Sequence, residues 1–281
     1  MKKRFSIAYQ SRSEGAERRF ALALASGFVE TAFSMADGGI RPEEPAAARA
    51  AGLAVEALYL PSDGVNLLWE PSPARAQAED VLPSDETVAD DTTWEMLKQL
   101  YVSYFTFAAG IGVDRVILRP SLGTGLPPVS QTGLGRFRTL AALAKERGIR
   151  LLIENDKSAP HFEAVVRVVA DGYHGVSFAP AMAWRYFGTS AIPPYASETL
   201  MRLSLDDGKG DNFGYLPMEG DTDFRPFARS LAELHFRGTM AVSPDPTLTP
   251  YKDLDTFTLS SRAYDCLSTL LRLMKREEGV V

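Results

Sequence analysis

The sequence predicts a single (β/α)8 barrel, and three observations predict it. Short apolar segments alternate with helical stripes along the whole chain, and eight such strand and helix pairs can be counted. Residues 151–153 are Leu-Leu-Ile between charged residues, as in a parallel strand that is covered on both faces. No Gly-x-Gly-x-x-Gly opens a helix after the first strand, which argues against an open doubly wound sheet.

The first half of the chain contains four strand and helix pairs. A helix at 14–26 ends at Gly27 and an alanine-rich helix at about 43–51 ends at Gly52, because glycine commonly follows the last turn of a helix. Apolar residues at helical spacing mark the next two helices: Trp94, Leu97, Tyr101 and Tyr104, and then Phe137, Leu140, Ala141 and Ala144. The strands of this half are predicted at 5–9, 28–33, 53–60 and 113–119.

The second half repeats the alternation. Its strands are predicted at 151–153, 175–179, 200–206 and 239–243. Its helical stripes are Phe162, Val165, Val166 and Val169, then Phe224, Phe227, Ala228 and Leu231, and finally Leu267, Leu270, Leu271 and Met274. Residues 181–197 are predicted to be irregular or partly helical. A loop rich in glycine and aspartate is predicted after the strand at 200–206.

These eight units predict one domain that spans residues 1–281. Its least regular segment is 61–91, which contains four prolines and ends in an acidic run. Loops of this length are uncommon in compact domains and are typical of lids. A solvated acidic surface loop is the alternative, and the sequence leaves both interpretations open.

Composition limits the class of protein. Hydrophobic residues make up 45% of the chain, which is enough for a sizeable core, and the net charge of −6 argues against a nucleic-acid partner. No run of 18 apolar residues is present, so we expect no membrane span. Cys266 is the only cysteine, which excludes an internal disulfide and makes a cytoplasmic location the expectation.

Three segments carry a resemblance to a known family. They are Gly112-Val-Asp-Arg-Val-Ile-Leu-Arg-Pro120, the stretch from Phe137 that runs into Arg147-Gly-Ile-Arg-Leu-Leu-Ile-Glu-Asn155, and Leu216-Pro-Met-Glu-Gly-Asp-Thr-Asp-Phe224. In this order they resemble the xylose-isomerase-like barrels, which include sugar-phosphate isomerases and epimerases. The resemblance implies a (β/α)8 fold with its site at the carboxyl ends of the strands.

The resemblance also implies where a metal site would lie. Such enzymes typically hold a divalent ion with carboxylates and imidazoles at four strand ends, where the ion polarises a sugar oxygen. Only Glu154, after the fifth strand, matches that pattern. The other positions hold Ala179 and Met182 after the sixth strand, Arg202 or Ser204 in the seventh, and Ser243 after the eighth. We therefore expect no metal ligand set in this chain.

The three histidines of the chain do not restore the set. His174 and His235 precede the sixth and eighth strands, which places them on the opposite, amino-terminal face of the barrel. His161 follows the fifth strand and could face the site. One histidine without neighbouring ligands is a poor metal signal, so we expect it to be a partly exposed residue at a helix end.

Several side chains would still surround the carboxyl-terminal mouth of the barrel. Glu154 is the candidate catalytic residue, and we expect its partner to be Arg202 or Lys157 rather than an ion. Basic groups bind phosphates or carboxylates, aromatic faces stack on sugar rings, and ordinary ion pairing is the alternative role of the basic groups. The candidate ligand-binding residues are Tyr59, Arg119, Lys157, Trp184, Arg202, Asp206 and Ser243.

Two functional interpretations remain open. In the first, the barrel has a degenerate metal site, requires no cofactor and binds a sugar or a sugar-phosphate-like small molecule at its mouth. In the second, it is an active sugar isomerase or epimerase that uses Glu154 with the shifted carboxylates Asp206 and Asp245. That enzyme would work with or without a divalent metal such as Mn, Mg or Zn at Glu154. Neither interpretation predicts a nucleic-acid or membrane partner, and both allow a homo-oligomer.

Overall fold

The computed structural model describes residues 4–8, 15–35, 40–41, 43–70 and 92–277, and these residues build one closed barrel of eight parallel strands. The strands are β1 (Arg4–Ala8), β2 (Glu30–Ser34), β3 (Ala54–Tyr59), β4 (Arg115–Leu118), β5 (Arg150–Glu154), β6 (Gly175–Phe178), β7 (Leu200–Ser204), β8 (Asp207–Lys209), β9 (Asn212–Tyr215) and β10 (Thr239–Val242). The barrel runs from β1 through β7 to β10, which pairs with β1. The predicted (β/α)8 barrel is therefore confirmed.

Helices follow the strands and pack around the barrel. They are α1 (Ala16–Ala25), α2 (Glu43–Ala50), α3 (Thr92–Gly110), α4 (Gln131–Glu146), α5 (Ala159–Val169), α6 (Pro180–Phe187), α7 (Pro194–Ser197), α8 (Arg225–Glu233) and α9 (Thr256–Glu277). The predicted apolar stripes of α4, α5 and α8 are buried, as the helical spacing requires. No helix in the described ranges has the length and apolar character that a membrane crossing needs.

The segment after β7 is not the loop that its glycine and aspartate content predicts. β7 ends at Ser204, and β8 and β9 form an antiparallel hairpin. The buried carboxylate of Asp207 accepts hydrogen bonds from the amides of Gly208, Gly220 and Thr222 at 2.7, 2.9 and 3.2 Å. One side chain thus satisfies backbone groups of the hairpin and of the following loop, a long-range effect that composition does not reveal.

Small side chains line part of the barrel interior. Ala8, Ala32, Ala57, Ile117 and Leu152 form one buried cluster, separate from the larger core between strands and helices. Tyr59 and Met201 pack against this cluster. Because three of its five buried members are alanines, the interior has space for long side chains from other positions.

The strand pairing is irregular at two places in the barrel, one at Glu56 of β3 and one beside Arg202 of β7. The register between β2 and β3 shifts, which makes Glu56 an extra residue of β3. The register between β6 and β7 shifts next to Ser177, which makes Met201 an extra residue of β7. Bulges of this kind re-aim the side chains beside them, and Glu56 meets Arg202 of β7 inside the barrel.

The segment after β3 is firmly packed where the structure describes it. Val65–Leu68 form a 3-10 turn, and the buried indole of Trp69 donates a hydrogen bond of 2.7 Å to the carbonyl of Pro120. Arg136 of α4 donates to the carbonyls of residues 67, 68 and 70. The irregular loop predicted at 61–91 thus begins from a fixed base, and its part at 71–91 lies outside the described residues.

We expect Gly133→Ala to destabilise the protein, because the new methyl carbon would lie 2.3 Å from Cε3 of Trp69. Overpacking of this kind lowers the free energy of unfolding by about 1–3 kcal/mol. The matched control is Gly135→Ala in the same helix, where nothing lies within 4 Å of the new carbon. There alanine should stabilise the helix by up to about 1 kcal/mol. Urea unfolding measures both changes, and equal midpoints for the two variants would contradict the packing.

Candidate functional site

Glu154 stands at the carboxyl end of β5 and is completely buried. Its Oε2 accepts hydrogen bonds from the hydroxyls of Ser177 at 2.7 Å and Ser204 at 2.5 Å. Its Oε1 accepts from Nε and Nη2 of Arg119 at 3.3 and 3.2 Å. The carboxylate is therefore held from the ends of three strands. β4 and β6 are the direct neighbours of β5, and β7 lies beyond β6.

Arg202 of β7 is also completely buried, and it crosses the barrel. Its Nε donates to Glu56 Oε1 at 2.8 Å, and its Nη1 lies 3.7 Å from Glu154 Oε2. β3 and β7 stand opposite each other in the ring of eight strands, so the pair with Glu56 spans the interior. The guanidinium carbon also lies 5.0 Å from the ring centre of Tyr59.

The hydroxyls in this network have one consistent set of donors. Ser204 gives its single proton to Glu154, so its oxygen must accept from its other neighbours. Those neighbours are Nη1 of Arg202 at 2.7 Å and the hydroxyl of Tyr59 at 3.0 Å; the hydroxyl of Ser177, at 3.4 Å, gives its own proton to Glu154. Tyr59 therefore donates to Ser204. Its ring and hydroxyl make a second connection from β3 to β7 across the interior.

Four charges of alternating sign thus form one row, which we call the charge row: Glu56, Arg202, Glu154 and Arg119. Burial alone would raise the pKa of Glu154, but the two guanidiniums and two hydroxyls outweigh it, and the pKa is lowered. Burial likewise opposes the charge of Arg202, but Glu56, Tyr59 and Glu154 outweigh it and raise its pKa. Both groups are therefore charged at neutral pH.

Asp206 lies beside the charge row, two residues beyond Ser204. Its Oδ1 accepts a hydrogen bond of 2.5 Å from the amide of Ser243, which follows β10. Burial is the main cause that raises its pKa, to about 6; the Ser243 amide lowers it, and the charge of Glu154 raises it further. Asp206 is therefore the carboxylate of the mouth that titrates near neutrality.

Asp156 is a further carboxylate near Arg119. It is buried, and burial raises its pKa although the guanidinium of Arg119 lowers it. Asp245, which the second interpretation needs, has no hydrogen bond or ion pair with the charge row among the described residues. Its Oδ1 accepts hydrogen bonds from the amide and the hydroxyl of Thr247, at 2.8 and 2.7 Å.

Two of the predicted ligand-binding residues stand apart from the charge row. Lys157 is exposed, and its Nζ lies 5.6 Å from the ring centre of Tyr186, so of the two expected partners of Glu154 it is Arg202 that lies beside the carboxylate, and not Lys157. Tyr186 in turn stacks on Phe213 of the β8–β9 hairpin. Trp184 is exposed on α6, and no hydrogen bond or ring contact of the described residues joins it to the charge row. The structure brings together Glu154, Tyr59, Arg119, Arg202 and Asp206, with Ser243 contributing its amide.

The histidines lie outside this network. His174 precedes β6, as predicted, and its Nδ1 accepts the amide of Leu151. The expectation of a partly exposed His161 is wrong, because its imidazole is buried edge-on against Trp69. Its Nε2 donates to the carbonyl of Pro127, so its Nδ1 accepts from Ser158, and burial lowers its pKa.

Sequence reasoning missed Glu56 and Ser177. A signal for Glu56 existed, because it is a charged residue inside the otherwise apolar strand at 53–60, and a buried charge requires a partner. Arg202 is the complementary signal in β7. Ser177 gave no signal, since a serine within a strand is chemically ambiguous until its neighbours are known.

The residues around Glu154 do not fit a divalent metal. In the described part of the chain, no group of three or more histidine, cysteine, aspartate or glutamate side chains is arranged to hold one. Both oxygens of Glu154 accept two hydrogen bonds each, from hydroxyl and guanidinium donors. A divalent cation here would have to displace these donors and lie beside two guanidinium charges, which would repel it.

Comparison with known proteins supports the fold. No protein-family model and no curated protein sequence matches the chain. Among solved structures, a xylose isomerase-like TIM barrel/4-hydroxyphenylpyruvate dioxygenase fusion protein is similar at TM-score 0.68 and 17% identity. That match covers 100% of this chain and 45% of the fusion protein, so the chain spans less than half of that protein.

Two sugar epimerases are similar over nearly their full length. The D-psicose 3-epimerase of Clostridium cellulolyticum H10, determined with D-tagatose, has TM-score 0.67, 13% identity and coverage of 96% of this chain and 99% of that one. The D-allulose 3-epimerase of Methylomonas sp., in complex with D-allulose, has TM-score 0.65, 14% identity and coverage of 95% and 96%. The chain shares the TIM-barrel fold of these structures, as the sequence resemblance implies.

We expect Arg202→Met to destabilise the protein by about 3–5 kcal/mol, because Glu56 and Glu154 would lose the cation between them. The double variant Arg202→Met/Glu56→Leu should be more stable than the single variant, since it removes the stranded carboxylate. Arg185→Met is the control, because the exposed pair of Arg185 with Asp211 should matter little. Urea unfolding of the four proteins measures this, and a harmless single variant would show that the charge row is not tightly coupled.

We expect Asp206→Asn to stabilise the protein above pH 6 and to leave it unchanged below pH 4. The raised pKa means that the unfolded chain ionises this group first as the pH rises, so wild-type stability falls between about pH 4 and pH 6. The neutral amide avoids that cost, up to about 3 kcal/mol, and still accepts the Ser243 amide. Unfolding curves across this pH range test it. A variant that is less stable at pH 8 would contradict the assigned direction of the shift.

Proposed function

We propose that the chain binds a sugar-like small molecule at the carboxyl end of the barrel without a divalent metal. In this proposal the metal site implied by the resemblance is degenerate, and the guanidinium of Arg202 is the fixed cation of the mouth. The single observation that carries the proposal is the buried position of Arg202 between Glu56 and Glu154. A charged arginine beside the one surviving metal-ligand position supplies positive charge there without an ion.

Unpartnered polar atoms support a ligand at this place. Nη2 of Arg202 and Oε2 of Glu56 are buried and have no hydrogen-bond partner in the described part of the chain. Oδ2 of Asp156 is in the same state beside Arg119. Polar groups left in this condition cost stability, so water or a hydroxyl-rich ligand is the expected partner. Sugars offer donors and acceptors on adjacent carbons and suit such a surface.

The balance of charge favours a neutral sugar over a sugar phosphate. The charge row and the two aspartates beside it contain more carboxylates than guanidiniums. The carboxylates are those of Glu56, Glu154, Asp156 and Asp206, and the guanidiniums are those of Arg119 and Arg202. Both guanidiniums already face carboxylates, so a phosphate would meet a net negative field. A neutral polyol can instead donate hydroxyl hydrogens to the carboxylates.

An active isomerase or epimerase is the second candidate, and Asp206 favours it. A carboxyl group with a pKa of about 6 exchanges protons readily near neutral pH, which a transfer between sugar carbons requires. Asp245 gives this candidate no support, because no hydrogen bond or ion pair among the described residues joins it to the charge row, and its Oδ1 binds Thr247 two residues further on. The pair that would have to act is therefore Asp206 with a charged group of the row.

We expect D-tagatose or D-allulose to raise the melting temperature in the presence of EDTA, because a ligand that binds only the folded state stabilises it. Mn²⁺ should add nothing, and elemental analysis of the purified protein should find no stoichiometric metal. The Arg202→Met/Glu56→Leu variant is the control and should lose the shift. A shift that requires Mn²⁺, or a full equivalent of bound metal, would overturn the proposal. Deuterium incorporation from D₂O into either sugar would identify the second candidate.

A further inference from the structure

The acceptor capacity of Glu154 is already used. An ionised carboxylate offers about four lone-pair positions. The hydroxyls of Ser177 and Ser204 and two N–H groups of Arg119 occupy all of them, and the side chain is buried. A ligand hydroxyl therefore cannot donate to Glu154 without first displacing one of these donors.

Asp206 has the opposite character. The Ser243 amide fixes its Oδ1, while its Oδ2 has no hydrogen-bond partner among the described residues, and the residue is only half-buried. The next residue, Asp207, is fully buried and bound to three amides, so the two consecutive aspartates differ sharply in access. Asp206 is thus fixed in place at one oxygen and open at the other.

Charged groups from several strands face Asp206. They are Glu154 of β5, Arg202 of β7, and Arg119 after β4. Tyr59 of β3 shares the same field. Burial and the negative charge of Glu154 favour its protonated form, while the Ser243 amide and the two guanidiniums oppose it. Burial and the charge of Glu154 outweigh the opposing groups and raise the pKa of Asp206 to about 6, so the carboxyl can both accept and donate a proton around neutral pH.

Arg119 shares the mouth with Asp206, and Glu154 holds it there. Its side chain is 39% exposed, whereas Glu154 is 1% exposed in the same ion pair. The two hydrogen bonds between them are long, 3.2 and 3.3 Å, and both go to one oxygen. Glu154 therefore orients the guanidinium of Arg119, while part of the Arg119 side chain remains exposed.

We propose that Asp206, rather than Glu154, is the carboxylate that contacts the ligand, and that Glu154 is a positioning residue that orients Arg119 and Arg202. This inference rests on the proposed ligand site at the barrel mouth. It reverses the assignment that the sequence favours, in which Glu154 carries the chemistry. The two carboxylates stand on neighbouring parts of the same mouth and differ in which oxygen lone pairs remain free.

Carbodiimide coupling to glycinamide tests the assignment on the full-length protein without any sugar. Asp206 should couple in the folded protein, whereas Glu154 should couple only after unfolding in urea. Asp207 is the internal negative control on the same peptide, and the exposed Glu17 is the positive control. Peptide mass spectrometry measures the rates. Coupling of Glu154 as fast as that of Asp206, or an Asp206 as inert as Asp207, would overturn the inference.

The same assay with D-tagatose separates this inference from the proposed function. Protection of Asp206 by the sugar supports both. Coupling of Asp206 without protection by D-tagatose or D-allulose would keep Asp206 as the open carboxylate and count against these sugars as ligands. If the sugar binds, its affinity should rise about tenfold from pH 5 to pH 7 as Asp206 ionises, and Asp206→Asn should abolish this dependence. A pH dependence that survives in the variant would assign the contact to another group.

Discussion

The charge row is the constraint on which the mouth of this barrel depends. Arg202 is buried without any exposed surface, and an isolated guanidinium in such a place would be prohibitively costly. Glu56 and Glu154 offset that cost from opposite sides, and Arg119 balances Glu154 in turn. Because β3 and β7 face each other across the interior, these strands must keep the register that lets the pair meet. The bulge at Glu56 and the alanines beside it are the backbone and packing features that allow this.

The same row decides which groups remain chemically available. Ser177 and Ser204 give their protons to Glu154, and a carboxylate filled in this way is a structural acceptor rather than a base. Asp206 lies only two residues after β7 but is not part of the charge row. Its one fixed oxygen accepts the amide of Ser243, which follows β10, the neighbour of β7 in the ring. Asp207 then anchors the β8–β9 hairpin. Of these two adjacent aspartates, Asp206 keeps one carboxylate oxygen without a hydrogen bond among the described residues, and Asp207 has a structural role.

The barrel and the place of Glu154 could be predicted because they depend on local patterns. Buried strands and helical stripes have their own periods, and a parallel barrel sends the end of each strand to one face. The partners of Glu154 depend on which strands lie side by side and where a bulge falls, and neither is visible in one sequence. Glu56 and Arg202 were each visible as charges in apolar strands, but their pairing needed the closed ring. His161 was misjudged because Trp69 covers it from a distant segment.

The polar groups of this mouth are arranged at a cost that a purely structural core would avoid. Arg202 and Glu56 each keep one buried atom without a hydrogen-bond partner in the described residues. Each such atom costs on the order of 1–3 kcal/mol, and an apolar pair of similar volume would avoid both penalties. The ionisation of Asp206 is a further loss, because burial raises its pKa to about 6. Unfavourable terms of this kind concentrate where a protein meets a ligand, since the ligand supplies the missing partners. Fold similarity to sugar epimerases at 13–14% identity leaves the chemistry of the mouth free to change, because the barrel is stabilised by other residues. The cost therefore supports the proposal that the charge row belongs to a binding site, and not only to the core of the barrel.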